Sequence, residues 1–418
     1  MRTVAGLAVG EPVASNAMEF RRITNLPPYV FTIINNLKIE ARRAGNDVID
    51  LGFGNPDIPS PDIAVRKLAE AAHNPKNHRY SLSRGLPKLR EAIAGYYKKT
   101  WDVDLDPELE ITNTIGSKEG FSHLMWVLLD HDDAAIVPTP SYPIHMYGPL
   151  FAGADLRQVP IRGLSHPESR ENFADDFFDR LHTAYDVGWP KPRVLVISFP
   201  HNPTGACVDL DFMQRVVDFC REREMIVVHD FAYADVGFNG VQPPSILQAE
   251  GAKEVAVEQY SMTKSFSMAG WRCAFMLGNA EVVQALVKLK SYLDYGMFQP
   301  VQIASTVAIN EASDFPKEVC ATYESRCDTL IDGLSRIGWE VPKPGGTMFV
   351  WAPIPEAYSE MSSVEFCSML VNECDVALSP GVGFGPGGEG FARFALIENE
   401  KRIQQAIRNL RRGLTKLG

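Results

Sequence analysis

Between about residue 110 and residue 280 the chain alternates short runs of β-branched and other apolar residues with longer stretches whose apolar positions recur at helical spacing. "ITNTIG" precedes "SKEGFSHLMWVLLD", "AAIV" precedes a proline-rich loop, "RVLVIS" precedes "DLDFMQRVVDFCREREM", and "MIVV" precedes "HDFAYADVGF". Strands joined through helices imply right-handed crossovers and a mainly parallel sheet. In the run from Asp209, that residue reads as the N-cap, and Phe212, Val216, Val217 and Cys220 fall along one face, as in a helix covering a sheet.

In such sheets the loops at the carboxyl ends of the strands build the ligand site. The polar residues that stand out fall there: Gly116-Ser117-Lys118, Ser141-Tyr142-Pro143, His201 to Gly205, and His229-Asp230. After about Gly296 the texture changes to a long helical stretch, then "GGTMFVWAPI", "CDVALSPGVGFG", "FARFALI" and a basic amphipathic end. The predicted division is a large α/β domain over 49–297 and a smaller one built from an N-terminal arm, 1–48, with 298–418.

Composition narrows the class. Apolar residues make up 45% and charged residues 22% of 418, ordinary globular values. No stretch reaches the ~18 consecutive apolar residues of a membrane helix. A formal charge of -11 opposes binding to phosphate backbones, so nucleic acid is not an expected partner. The seven scattered cysteines have no metal-ligand spacing and read as reduced thiols of a cytoplasmic protein. The segment before Phe20 reads as a disordered lead-in, its apolar patch being too short for a signal core.

The chemistry centres on "YSMTKSFSMAGWRCAF", where Lys264 sits among small and apolar residues eight positions before Arg272. A lysine amine of this kind is useful as a Schiff-base partner of a carbonyl cofactor, pyridoxal 5′-phosphate (PLP) being the usual one. PLP asks for a lysine, a carboxylate at its ring nitrogen, a donor at its ring hydroxyl, a stacking surface and a phosphate cup. "SFPHNPTG", "VVHDFAYAD" and "SMTKSFSMAGWR", in this order, resemble the fold type I, class I/II aminotransferases. "YSLSRGLPKLREAI", "TIGSKEG", "PSYPIH" and "SPGVGFG" are similar to the bacterial alanine (glutamate–pyruvate) branch, and the resemblance runs from "LPPYVF" to "FARFALIEN".

The resemblance implies a large domain with a mainly parallel seven-stranded sheet, and a role for each matching residue. Lys264 holds PLP and moves the proton between the substrate α-carbon and the cofactor. Asp230 pairs with the ring nitrogen, Tyr233 and Asn202 meet the ring oxygen, and Tyr142 stacks on the ring. Gly116, Ser117, Lys118, Ser261, Thr263 and Arg272 form the phosphate cup, with Tyr80 reaching it from the neighbouring subunit of a homodimer. Arg393 takes the substrate α-carboxylate, with Gly54 approaching through its backbone and Asn202 nearby. Each residue also has a plainer reading: a core aromatic for Tyr233 and Tyr142, a turn for Asn202, a cap for Asp230, a solvated lysine for Lys118, a structural ion pair for Arg393. Their agreement in order favours the shared site.

The resemblance implies a ping-pong transaminase, alanine and pyruvate paired with glutamate and 2-oxoglutarate. "SYLDYGMFQP" lacks the arginine that aspartate enzymes place there, which leaves methionine, aromatic or other neutral amino acids open, as well as a lyase or oxidase on the same cofactor. "GFGPGG" matches G-x-G-x-x-G, yet the "EGFARFALI" after it reads as a strand, so no dinucleotide site is expected; with no cysteine pair at ligand spacing, no metal site is expected either.

Overall fold

A computed structural model of the chain describes residues 20, 23, 26, 30–161 and 173–414. The predicted lead-in before Phe20 lies outside the described residues. The strands are β1 (Ile49–Asp50), β2 (Ile111–Ile115), β3 (Ala134–Thr139), β4 (Asp155–Pro160), β5 (Val194–Ile197), β6 (Ile226–Asp230), β7 (Ala256–Ser261), β8 (Cys273–Gly278), β9 (Phe349–Pro353), β10 (Val376–Ala377), β11 (Ser379–Pro380) and β12 (Phe391–Ala395).

Seven of them form one sheet in the order β2-β8-β7-β6-β5-β3-β4. All neighbours are parallel except β8, which runs antiparallel to both β2 and β7. The chain is therefore an α/β protein with a mainly parallel seven-stranded sheet, as its sequence implied. Residues of β3, β5, β6 and β7 are buried along nearly their whole length, as expected for strands covered on both faces. The helix Leu210–Glu222 covers one face through Phe212, Val216, Val217 and Cys220, and the Asp209 carboxylate accepts its Phe212 N–H at 2.9 Å.

"HDFAYADVGF" departs from its predicted helical form. His229 and Asp230 close β6, and the residues after them form turns. The apolar positions Phe231, Val236 and Phe238 are buried against loops and neighbouring strands, so their spacing reflects irregular packing.

A second buried cluster gathers Ile34 of the helix Val30–Arg43, Ile49 and Leu51 of the β1 region, and residues from Val319 to Leu414. It surrounds the antiparallel sheet β11-β12-β9 and the parallel pair β1-β10. "EGFARFALI" does enter a strand, β12. Between this cluster and the ends of β2, β3, β5, β6 and β7 opens the cleft that collects the polar residues.

Candidate active site

The helix Ser117–Leu128 starts one residue beyond Gly116, whose φ of +80° suits glycine. A Cβ at Gly116 would run into the Arg272 guanidinium, so the two residues form one concave surface. Ser117, Lys118, Ser261, Thr263 and Arg272 line the same cleft. Ser261 ends β7 and caps the short helix Met262–Ser265, its hydroxyl accepting the Thr263 N–H at 3.2 Å. That single turn lifts Lys264 off the strand and into the cleft. Lys118 is exposed along its length, with its ammonium 5.5 Å from the centre of the Tyr142 ring.

The half-buried Lys264 amine donates to the Gly54 carbonyl at 2.8 Å and lies 6.0 Å from the Tyr233 ring centre. Burial first, then the charges of Arg393 and Arg272, bring its pKa down to about 7. Burial likewise holds the Tyr233 hydroxyl in its protonated form, well above the ordinary tyrosine range. Asp230 is 6% exposed and uses one oxygen only: Oδ2 meets His145 Nε2 at 2.8 Å, while Oδ1 has no partner among the described residues. His145 Nδ1 in turn faces the Ser141 hydroxyl at 2.8 Å. A carboxylate can only accept, so His145 donates from Nε2 to Asp230.

At the other end, Arg393 projects from β12. Its Nη1 donates to Asn202 Oδ1 at 2.7 Å and its Nη2 to the Gly52 carbonyl at 3.2 Å. The guanidinium is stacked between Phe349 (3.8 Å) and Phe384 (4.4 Å). Gly54 has no room for a side chain, since a Cβ would meet the Phe349 ring. The segment carrying Gly54 is anchored by Asp57, which accepts both arms of Arg326 at 2.7 and 2.8 Å, while Arg326 also donates to the Leu396 carbonyl just past β12.

The cleft, with a volume of about 200 Å³, thus holds Lys264, Asp230, Tyr233, Asn202, Tyr142, Gly54, Arg393 and the cup residues Ser117, Lys118, Ser261, Thr263 and Arg272, with Gly116 against Arg272. Tyr80 stands outside it, 87% exposed and packed on Tyr295 at 5.1 Å. Sequence reasoning missed His145, Phe349, Phe384 and Arg326 as contributors, and singled out Ser141 without giving it a role. Ser141 and His145 carry a signal, being four apart across a helix start at Pro143. The other three act through contacts between distant segments.

A sequence model of the family described as "Aminotransferase class I and II" matches residues 46–410. The chain is 48% identical over 393 residues to the glutamate-pyruvate aminotransferase AlaC of Escherichia coli, covering 94% of this chain and 93% of that one. It is 41% identical to the LL-diaminopimelate aminotransferase of Moorella thermoacetica over 96% and 99% of the two chains. Among solved structures, substrate-bound BacF from Bacillus subtilis superposes with a TM-score of 0.87 at 32% identity, over 94% of this chain and 97% of that one. With a match this long, and with relatives this similar along nearly their full length, the chain belongs to the class I and II aminotransferases, which use pyridoxal 5′-phosphate.

Proposed function

We propose that this cleft passes the amino group of an L-amino acid, L-alanine first among them, to 2-oxoglutarate in two half-reactions that share one site. The observation that carries this reading is the lone oxygen of Asp230. A buried carboxylate oxygen with no partner among the described residues calls for a donor, and the protonated ring nitrogen of PLP is one. The concave surface at Gly116 and Arg272, beside a helix N-terminus, fits the phosphate of the same molecule.

When bound, PLP supplies a conjugated ring that takes up the electron pair left as the substrate α-proton departs. The protein's own residues do the rest. Asp230, steadied by His145 and Ser141, keeps a proton on the ring nitrogen. Lys264, whose amine sheds its proton near pH 7, would hold PLP at its aldehyde carbon and, once freed by a substrate amine, would serve as the base that moves the α-proton. Tyr233 and Asn202 steady the ring oxygen and Tyr142 covers the ring. Arg393 receives the α-carboxylate in its planar fork, with Phe349 and Phe384 keeping water from its faces.

For the side chain, the support is the name of the Escherichia coli relative and the absence of arginine or lysine from "SYLDYGMFQP" after Lys290. A second reading, larger neutral amino acids such as methionine or the aromatic ones, is favoured by Phe31 and Phe53 on the cleft wall. The name of the Moorella thermoacetica relative adds LL-diaminopimelate as a third donor to test. A panel of donors with 2-oxoglutarate, followed for the new oxo acid and for glutamate, decides among them. Alanine is expected to give pyruvate and glutamate in equal amounts. Release of ammonia or uptake of oxygen in place of glutamate would overturn the transfer reading, and a strong preference for another donor would overturn the alanine assignment.

The enzyme is further proposed to act in the cytoplasm as a homodimer. Tyr80 and Tyr295 pack on each other and are both exposed, an aromatic surface that a second copy would cover.

A further inference from the structure

Behind the first turn of the helix Ser117–Leu128 lies a charged cluster that takes no part in the chemistry above. Glu119 Oε2 accepts the N–H of Ile115, the last residue of β2 before Gly116, at 2.6 Å. Its Oε1 lies 3.1 Å from Lys290 Nζ and 2.5 Å from His123 Nδ1. Lys290 comes from the helix Ala280–Leu293, is 0% exposed, and also donates to Asp294 Oδ2 at 2.7 Å. Ligand-type atoms of Glu119, His123 and Asp294 lie within 4.8 Å of one another, and the Lys290 ammonium bridges the two carboxylates.

Burial pushes the Glu119 carboxyl up, but the His123 hydrogen bond and the Lys290 charge outweigh it and hold its pKa down to about 2. Glu119 is therefore an anion in the first turn of a helix. That position suits a carboxylate by itself, and the bond to Ile115 braces the turn at Gly116. It also sets a negative charge beside the surface read above as the phosphate cup, where like charges repel. A buried lysine is expensive to desolvate, and a neutral residue of similar length could fill its volume. Its charge is what the site uses.

We propose that Lys290 is a positioning residue for cofactor binding: its buried ammonium cancels the charge of Glu119, so that the carboxylate braces the Gly116 turn without opposing the phosphate. This rests on the assignment of Gly116, Ser117 and Arg272 to that phosphate.

The test is titration of the apoprotein with PLP and, separately, with pyridoxal, which lacks the phosphate. Wild-type protein is expected to prefer PLP. Lys290→Met is expected to weaken PLP binding about tenfold and change pyridoxal binding by less than about twofold, because only the phosphate senses the uncovered carboxylate. The double variant Glu119→Gln/Lys290→Met is expected to recover PLP affinity to within about threefold of wild type. Glu119→Gln alone keeps an acceptor for Ile115 and leaves Lys290 paired with Asp294, so it serves even if Lys290→Met fails to fold. Its PLP affinity is expected to equal or exceed that of wild type. Equal losses for both ligands in Lys290→Met with a matching fall in Tm, no recovery in the double variant, or weaker PLP binding in Glu119→Gln would each overturn the inference. A wild-type protein indifferent to the phosphate would remove the cup assignment itself, and the inference with it.

Discussion

Lys264 shows how position alone changes a side chain's chemistry. In water its amine would hold its proton past pH 10, whereas here burial, with Arg393 and Arg272 on either side, lowers that point to about 7. The amine must be neutral to attack an aldehyde, so the rate at which apoprotein captures PLP is expected to rise through about pH 7 and level off above it. Stopped-flow mixing at a series of pH values checks this, and a rise centred near pH 10 would show an ordinary solvated lysine. Arg393 carries the corresponding claim at the carboxylate end. Arg393→Lys keeps the charge but loses the fork and its stacking between two phenyl rings. A loss of about thirtyfold or more in kcat/KM for alanine is expected, the equivalent of ~2 kcal/mol, with PLP affinity little changed.

At the scale of elements, the site depends on where strands stop. β2, β3, β5, β6 and β7 end on one side of the sheet, and their next residues supply Gly116, Ser141, Ser198, Ala232 by way of Asp230, and the turn that lifts Lys264. The turn at Gly116 is the most constrained. Gly116→Ala would cost about 1–3 kcal/mol in this positive-φ, extended backbone and also strike Arg272. The variant is expected to fold with a lower Tm and to bind PLP at least about tenfold more weakly, as equilibrium dialysis would read.

β2, β3, β5 and β6 were legible because their apolar runs are short, β-branched and bounded by turn residues. β7 was not, since "AVEQYS" places Glu258 and Gln259 in the middle of a buried strand. Glu258 survives there because Tyr97, Ser245, the Ile246 N–H and His229 all meet its carboxylate, partners that no local pattern reveals. The chemistry-bearing residues were legible because the short motifs that carry them, "VVHDFAYAD", "SMTKSFSMAGWR" and "FARFALIEN", resemble those of the family; in the structure Asp230 and Arg393 are buried, Lys264 is half-buried and Arg272 is exposed. The supports behind them, His145 behind Asp230 and Arg326 behind Asp57, depend on segments 85 and 269 residues apart.

At the scale of the molecule, the cleft lies between the large sheet and the cluster around β9 and β12, so both parts must be in place for Arg393 and Asp230 to line one cavity. We propose a division into 49–297 and 1–48 with 298–418, whose seam limited proteolysis would locate; the helix Gln299–Glu311 buries Ala308 and Ile309 with the large core. Among the described residues no helix is long and apolar enough to cross a membrane. The exposed aromatic surface at Tyr80 and Tyr295 is the feature a lone copy leaves unexplained. Analytical ultracentrifugation is expected to give a dimer. Tyr80→Phe is expected to leave that dimer intact while weakening PLP binding, since the role proposed for Tyr80 is that of its hydroxyl alone. A monomer with full activity would contradict both statements.

The most direct test of the whole account is to load the protein with PLP, reduce it with borohydride, and locate the phosphopyridoxyl group by peptide mapping, with and without prior exposure to L-alanine. The label is expected on Lys264, to be lost when alanine precedes reduction, and to return when pyruvate is then added. A label on another lysine, or one on Lys264 that alanine does not remove, would contradict the account.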